Sequence, residues 1–279
     1  MYDTPDLERP GHVIEGYDKE HAERTTRIVQ TVAKEAGLAE KWLPELEVTT
    51  LLHDLGRAGM DAELFGKIFG VAQEIGLPIR IRELRAKYQH ISEEQAPDFF
   101  VSHIKQALEQ RGIALTLRVY DHILMRMDFK GRLRRQLKER APELSSMGIT
   151  VKPWMEKVML YYYYPQEMAG EPADVKLMGM LLVACENFEA YNNRRRGKDY
   201  YGRRDEQLRE VFTALERFER DGLVSARVMA TLKGLTASGA LDNEMKESRG
   251  QTRSQALLAA DVAFQQELAA SVNRQGASS

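Results

Sequence analysis

The sequence predicts an all-α protein, on three observations. Apolar residues return at spacings of three and four along most of the chain, Gly and Pro fall at helix-length intervals, and little of it shows the alternation of a half-buried strand. From His21 to Ala36 the residues Ala22, Thr25, Val29, Val32 and Ala36 share a face, and Gly37 supplies the stop. Pro44 stands where a first-turn proline belongs; Val48, Leu51, Leu52 and Leu55 give the second helix its stripe, which Gly56 is expected to end. Helices follow over about Ala62 to Glu74, Ile79 to Gln89, and Pro97 to Arg111 behind the capping-box pattern "SEEQ". Leu115 to Glu139 reads as one long helix, and Pro153 to Tyr163, Val175 to Tyr191, Gln207 to Glu219 and Ser225 to Leu235 complete the compact part.

After Gly239 the stretch "LDNEMKESRGQTRSQ" is polar and reads as a linker. A last helix from about Ser254 to Val272 carries Leu257, Ala260, Phe264 and Leu268 as one apolar stripe, which must dock. Packing back on its own domain is the default, and a homodimer or partner contact through this helix is the alternative. "NRQGASS" reads as a frayed end. The expected division is an extension over residues 1–12, a helical domain over 13–238, and a linker with its amphipathic helix over 239–279.

With 279 residues, 43% hydrophobic and 29% charged, the chain can bury a sizeable core. Its single cysteine, Cys185, excludes an internal disulfide framework, fits a reducing compartment, and reads as a small buried side chain. No apolar run approaches the roughly 18 residues of a membrane helix, so no membrane partner is expected. The acidic, polar N-terminus has no signal-peptide core, and a cytoplasmic location is the expectation. A net charge of −2 gives no reason to expect polymeric nucleic acid. Two runs are nonetheless basic, "KGRLRRQLKER" from Lys130 and "RRRGKDYYGRR" from Arg194. They read either as solvated helix faces and a loop or as phosphate-binding segments.

The residues that suggest chemistry lie in three remote segments. "TLLHDLGRAG" ends an apolar run on His53 and Asp54; His21, within "EHAER", opens another helix; and Glu186 sits inside the apolar run "MLLVACENFEAYNN". Each imidazole taken alone is most simply a hydrogen-bonded core residue. A bare carboxylate in an apolar run, however, is costly to bury without a cation or a proton. Together the four make a nitrogen and oxygen set that suits Zn, Mn, Fe or Ni better than a thiolate-seeking metal.

On these segments the chain resembles the HD superfamily of metal-dependent phosphohydrolases, whose pattern is His, His-Asp, then Asp on the helices of an all-α domain. "HDLGRAGM" is similar to the "HDIGKIGI" of the HD-GYP group, which hydrolyses cyclic di-GMP, and "VACENFEAYNNRRR" to its "VADVFDALTSDRP". The likeness spans about residues 13–235, with a poorly matching stretch over about 62–152. It implies that His21, His53, Asp54 and Glu186 bind one divalent metal ion, Glu186 standing where the family has its final Asp. Arg57 takes the place of the family's lysine, and Arg195, within Arg194, Arg195 and Arg196, that of a phosphate-touching arginine. The resemblance implies hydrolysis of a nucleotide phosphoester by water that Asp54 orients or deprotonates, Arg57 and the three arginines stabilising the developing charge.

The departures fall on the chemistry. Tyr161 and Tyr162 stand where the group has paired histidines, and the GYP tripeptide is missing. The run of four tyrosines is by default a half-buried helix segment; stacking of Tyr161 on a guanine base is the alternative. His90 is the best candidate for the family's further histidine, with His103 and His122 competing, although each reads more simply as a surface or packing residue. Two other classes therefore stand beside the hydrolase: a catalytically degenerate nucleotide-binding or signalling module, and an HD-fold oxygenase, which needs more histidines than can be assigned.

Overall fold

At least four of the helices start at residues whose side chains accept from their first amides. Asp61 accepts from the Leu64 N–H (3.0 Å), Thr116 from Val119 (3.3 Å), Asp128 from Gly131 (3.1 Å) and Ser225 from Val228 (3.3 Å). The computed structural model describes residues 1–6, 9–17, 19–193, 207–249 and 253–276, and within them the expected all-α class is observed. In chain order the helices are α1 Lys19–Glu35, α2 Leu43–Leu52, α3 Ala62–Glu74, α4 Ile81–Lys87, α5 Ala96–Gln110, α6 Leu117–Met127 and α7 Phe129–Ser146. They continue with α8 Pro153–Leu160, α9 Ala173–Asn192, α10 Leu208–Arg220, α11 Ala226–Ala237, α12 Asp242–Arg249 and α13 Gln255–Gly276. A short antiparallel ladder pairs β1 (Thr4–Pro5) with β2 (Val13–Ile14), Thr4 facing Ile14. Among the described residues no helix is long and apolar enough to cross a membrane.

Four expectations change. The second helix does not run to Gly56: it ends at Leu52, and the chain re-forms as a 3-10 turn over Leu55–Arg57. The helix expected over Leu115 to Glu139 is two, because Asp128 (φ −136°, ψ 46°) leaves helical geometry and caps α7. The "SEEQ" box does form: Ser92 N–H donates to Gln95 Oε1 (2.9 Å) and Gln95 N–H to Ser92 Oγ (3.3 Å). It closes the turn ahead of α5 rather than the helix itself. The stretch read as a linker contains α12, with Leu241 and Met245 buried one turn apart.

The chain divides into two compact units, each with its own core. The first takes in residues 1–19 and 54–150, where Phe65, Ile68, Phe69, Phe100, Ile104 and Ile123 pack α3, α5 and α6 together. Here α7 lies against the 3-10 turn at 55–57 so closely that a Cβ on Gly56 would sit 2.7 Å from the Phe129 ring. Buried Arg132 ties the two by donating to the carbonyls of Gly56 (2.7 Å) and Ala58 (2.9 Å), and it also pairs with Asp121. Gly59, at φ +79°, has the Thr4 side chain where a Cβ would go.

The second unit takes in residues 20–53, 151–193, 207–249 and 253–276. Its central helix is α9, apolar on nearly every side, against which α8, α10, α11 and α12 pack around Leu181, Phe188, Phe212 and Leu215. Phe264 and Leu268 of α13 are buried against α10 and α11, so the terminal helix docks within its own unit, as its stripe requires. Trp42 and Trp154 meet edge-on at 5.6 Å, and the Trp42 indole donates to Asp174 (2.8 Å).

Candidate metal centre

The break after Leu52 is what presents the His-Asp pair. His53 still has helical dihedrals (φ −59°, ψ −34°), whereas Asp54 sits near the bridge region (φ −99°, ψ 12°), so the two side chains leave the end of α2 in different directions. His21 lies in the first turn of α1, and Glu186 two turns before the end of α9. His21, His53, Asp54 and Glu186 each offer one ligand atom, and these atoms all lie within 4.8 Å of one another. The imidazoles stand 5.3 Å apart between ring centres. His21, His53 and Asp54 are buried and Glu186 is half-buried.

The second layer settles which nitrogens face the group. His53 Nδ1 donates to the Thr50 carbonyl (2.6 Å), so the lone pair of the neutral ring is on Nε2. His21 Nδ1 bonds Glu189, which likewise leaves Nε2 as the donor nitrogen. Glu189 is fully buried and also accepts from Arg24 Nε (2.7 Å), Asn193 Nδ2 (3.1 Å) and Ser248 Oγ (3.1 Å). Sequence reasoning missed it. Its one signal is the spacing of "ENFE", which sets Glu189 one turn beyond Glu186 on the same apolar helix.

Asp54 accepts from Arg57 Nη1 through Oδ2 (2.8 Å), and the guanidinium rests over the Phe129 ring at 5.7 Å. Arg57 is thus held on the carboxylate of a candidate ligand. Arg24 pairs with Glu189 (2.7 Å) and Arg57 with Asp54 (2.8 Å), so two of the carboxylates in this mostly buried place carry a guanidinium of their own. The donor set could hold a metal ion. Ligands of one tetrahedral ion at about 2.0–2.2 Å stand about 3.3–3.6 Å apart, so binding would draw the widest of these atoms together by up to about an ångström.

The other expected residues lie elsewhere. Arg194, Arg195 and Arg196 fall outside the described residues. Tyr161 is buried, with its ring against Gly179, and burial pushes its phenol pKa up; Tyr162 meets Phe218 at 5.7 Å. Tyr161 therefore serves the core rather than a stacking surface. His90 and His103 are exposed and lean on Phe99 (5.9 and 4.0 Å). Buried His122 accepts from the Asp61 N–H (2.8 Å) and donates to the Arg118 carbonyl (2.7 Å). None of these three belongs to the group. Cys185 is fully buried, and burial raises its thiol pKa.

Comparison with protein-family models, with curated proteins and with solved structures finds no match.

Proposed function

We propose that the chain is a metal-dependent phosphohydrolase acting on a nucleotide phosphate ester, with cyclic di-GMP as the first candidate. The observation that supports this reading is the convergence of His21, His53, Asp54 and Glu186 from three remote segments, with Glu189 behind His21. Bound there, a single divalent ion would supply Lewis acidity and a water of lowered pKa. His21 and His53 would hold it through Nε2, their Nδ1 atoms being engaged by Glu189 and the Thr50 carbonyl. Asp54 would orient or deprotonate the attacking water, while Arg57 steadies that carboxylate and would lend positive charge to the phosphate oxygens as negative charge develops.

The test is to load the protein in turn with Mn, Fe, Zn and Ni and supply cyclic di-GMP and a panel of phosphoesters. Asp54→Ala is expected to reduce cleavage by about 100-fold or more. Cleavage unchanged in that variant, or absent with every metal, overturns the assignment. A second reading, a degenerate nucleotide-binding or signalling module, is favoured by the tyrosines that replace the histidine pair, Tyr161 being committed to the core. One equivalent of metal supports the hydrolase, and none, with nucleotide still bound, supports the module.

A further inference from the structure

The unit built from residues 1–19 and 54–150 contains a cavity of about 510 Å³, inside the range of about 300–1,000 Å³ typical of small-molecule sites. Its walls come from the β1–β2 ladder, the Ala58–Gly59 turn and facing turns of α6 and α7. Positions 132, 135, 136, 139 and 140 recur at spacings of three and four, so one face of α7 lines it, and this is the basic run noted in the sequence.

The lining is charged in a particular sense. Arg118, Arg132, Arg135 and Arg140 line it together with Asp121 and Glu139; Arg118 is also paired with Asp61 (2.6 Å) and Arg140 lies 3.5 Å from Glu143, which leaves Arg135 the least engaged of the four. Arg132 is the anchored floor, bonded to two carbonyls and to Asp121. Arg135 is about half exposed, and its ion pair with Asp128 is long, at 3.7 Å. Arg140 donates to the Asp3 carbonyl (2.9 Å), and a guanidinium carries five N–H donors. Beside them, Gln136 Oε1 is buried with no hydrogen-bond partner among the described residues. A buried acceptor left in that state favours a ligand that can donate to it.

We propose that this cavity binds a nucleotide, its phosphates on Arg135 and Arg140 with Arg118 beside them, and its hydroxyl or amino donors on Gln136 Oε1 and Glu139. Inorganic phosphate would satisfy the guanidiniums but leave the volume and both acceptors unused. The lining includes neither Arg57 nor any of the four candidate metal ligands, so the proposal stands independently of the hydrolase reading.

The test is calorimetric titration of the full chain, in the presence of a chelator, with ATP, GTP and inorganic phosphate as probes. Saturable binding of ATP or GTP is expected, weakened about tenfold or more by Arg135→Glu and also weakened by Gln136→Leu, with inorganic phosphate at least about tenfold weaker. Both substitutions are at partly or largely solvent-accessible positions, and unchanged thermal melts will establish that the variants are folded. No saturable nucleotide binding, equal affinity in Arg135→Glu, or phosphate binding as tightly as the nucleotides overturns the proposal. Phosphoester cleavage by metal-loaded Arg135→Glu, assayed separately, distinguishes failure here from failure of the hydrolase reading.

Discussion

Glu189 shows how much of a site a single side chain can govern. It fixes the tautomer of His21 while tying in Arg24, Asn193 and Ser248. Replacing Glu189 with Gln keeps the volume but puts an amide donor where one of these donors must be accepted. Metal titration is expected to show affinity reduced about 10- to 100-fold; unchanged affinity would mean that His21 needs no such support. His122 gives a pH signature of its own. Burial lowers its pKa below the ordinary 6.5, so folding favours the neutral ring. Below that value the unfolded chain takes up a proton that the folded one resists. The stability contributed by neutral His122 is therefore complete above pH 6.5 and lost as pH falls through it toward the depressed folded value. His122→Gln should remove this step, so that the stability gap between wild type and variant in denaturant titrations narrows from about pH 7.5 to about pH 5. At this scale the sequence was informative where chemistry is adjacent or contextually odd, as at His53, Asp54 and Glu186. On Glu189 it offered only the "ENFE" spacing, too weak to separate a second carboxylate in the same helix from a solvated one.

The elements that departed from expectation did so for local reasons. The division of α6 from α7 rests on Asp128 bonding the Gly131 amide, its carboxylate lying where a Cβ at 131 would go; in the sequence neither residue stands out from an ordinary helical aspartate and a tolerated glycine. Asp128→Ala should cost about 1 kcal/mol in chemical denaturation through loss of that cap. In and just before α12 the residues that dock are Leu241, Met245, Ser248 and Arg249, too few apolar positions to stand out in a polar stretch. The turn after Asp54 is more tightly specified. Gly59→Ala should destabilise the protein by about 1–3 kcal/mol, since its positive φ is strained for any other residue and Thr4 occupies the space. A melting temperature unchanged by that substitution would contradict the described turn.

For the whole molecule, the all-α class was legible because three-and-four spacing survives in almost every segment. The two units were not, because each is assembled from stretches distant in sequence. If the His-Asp-Glu group holds a metal, saturating it should raise the melting temperature: ligand at about 100 times Kd adds about 2.7 kcal/mol. His53→Ala should abolish that response, and a chelator should reverse it. Choice of probe matters in such measurements. The only two tryptophans of the chain, Trp42 and Trp154, lie together in the second unit, one of them bonded to Asp174. Intrinsic indole emission will consequently follow the melting of that half alone, and the arginine-lined half will unfold unseen unless circular dichroism or calorimetry is recorded beside it.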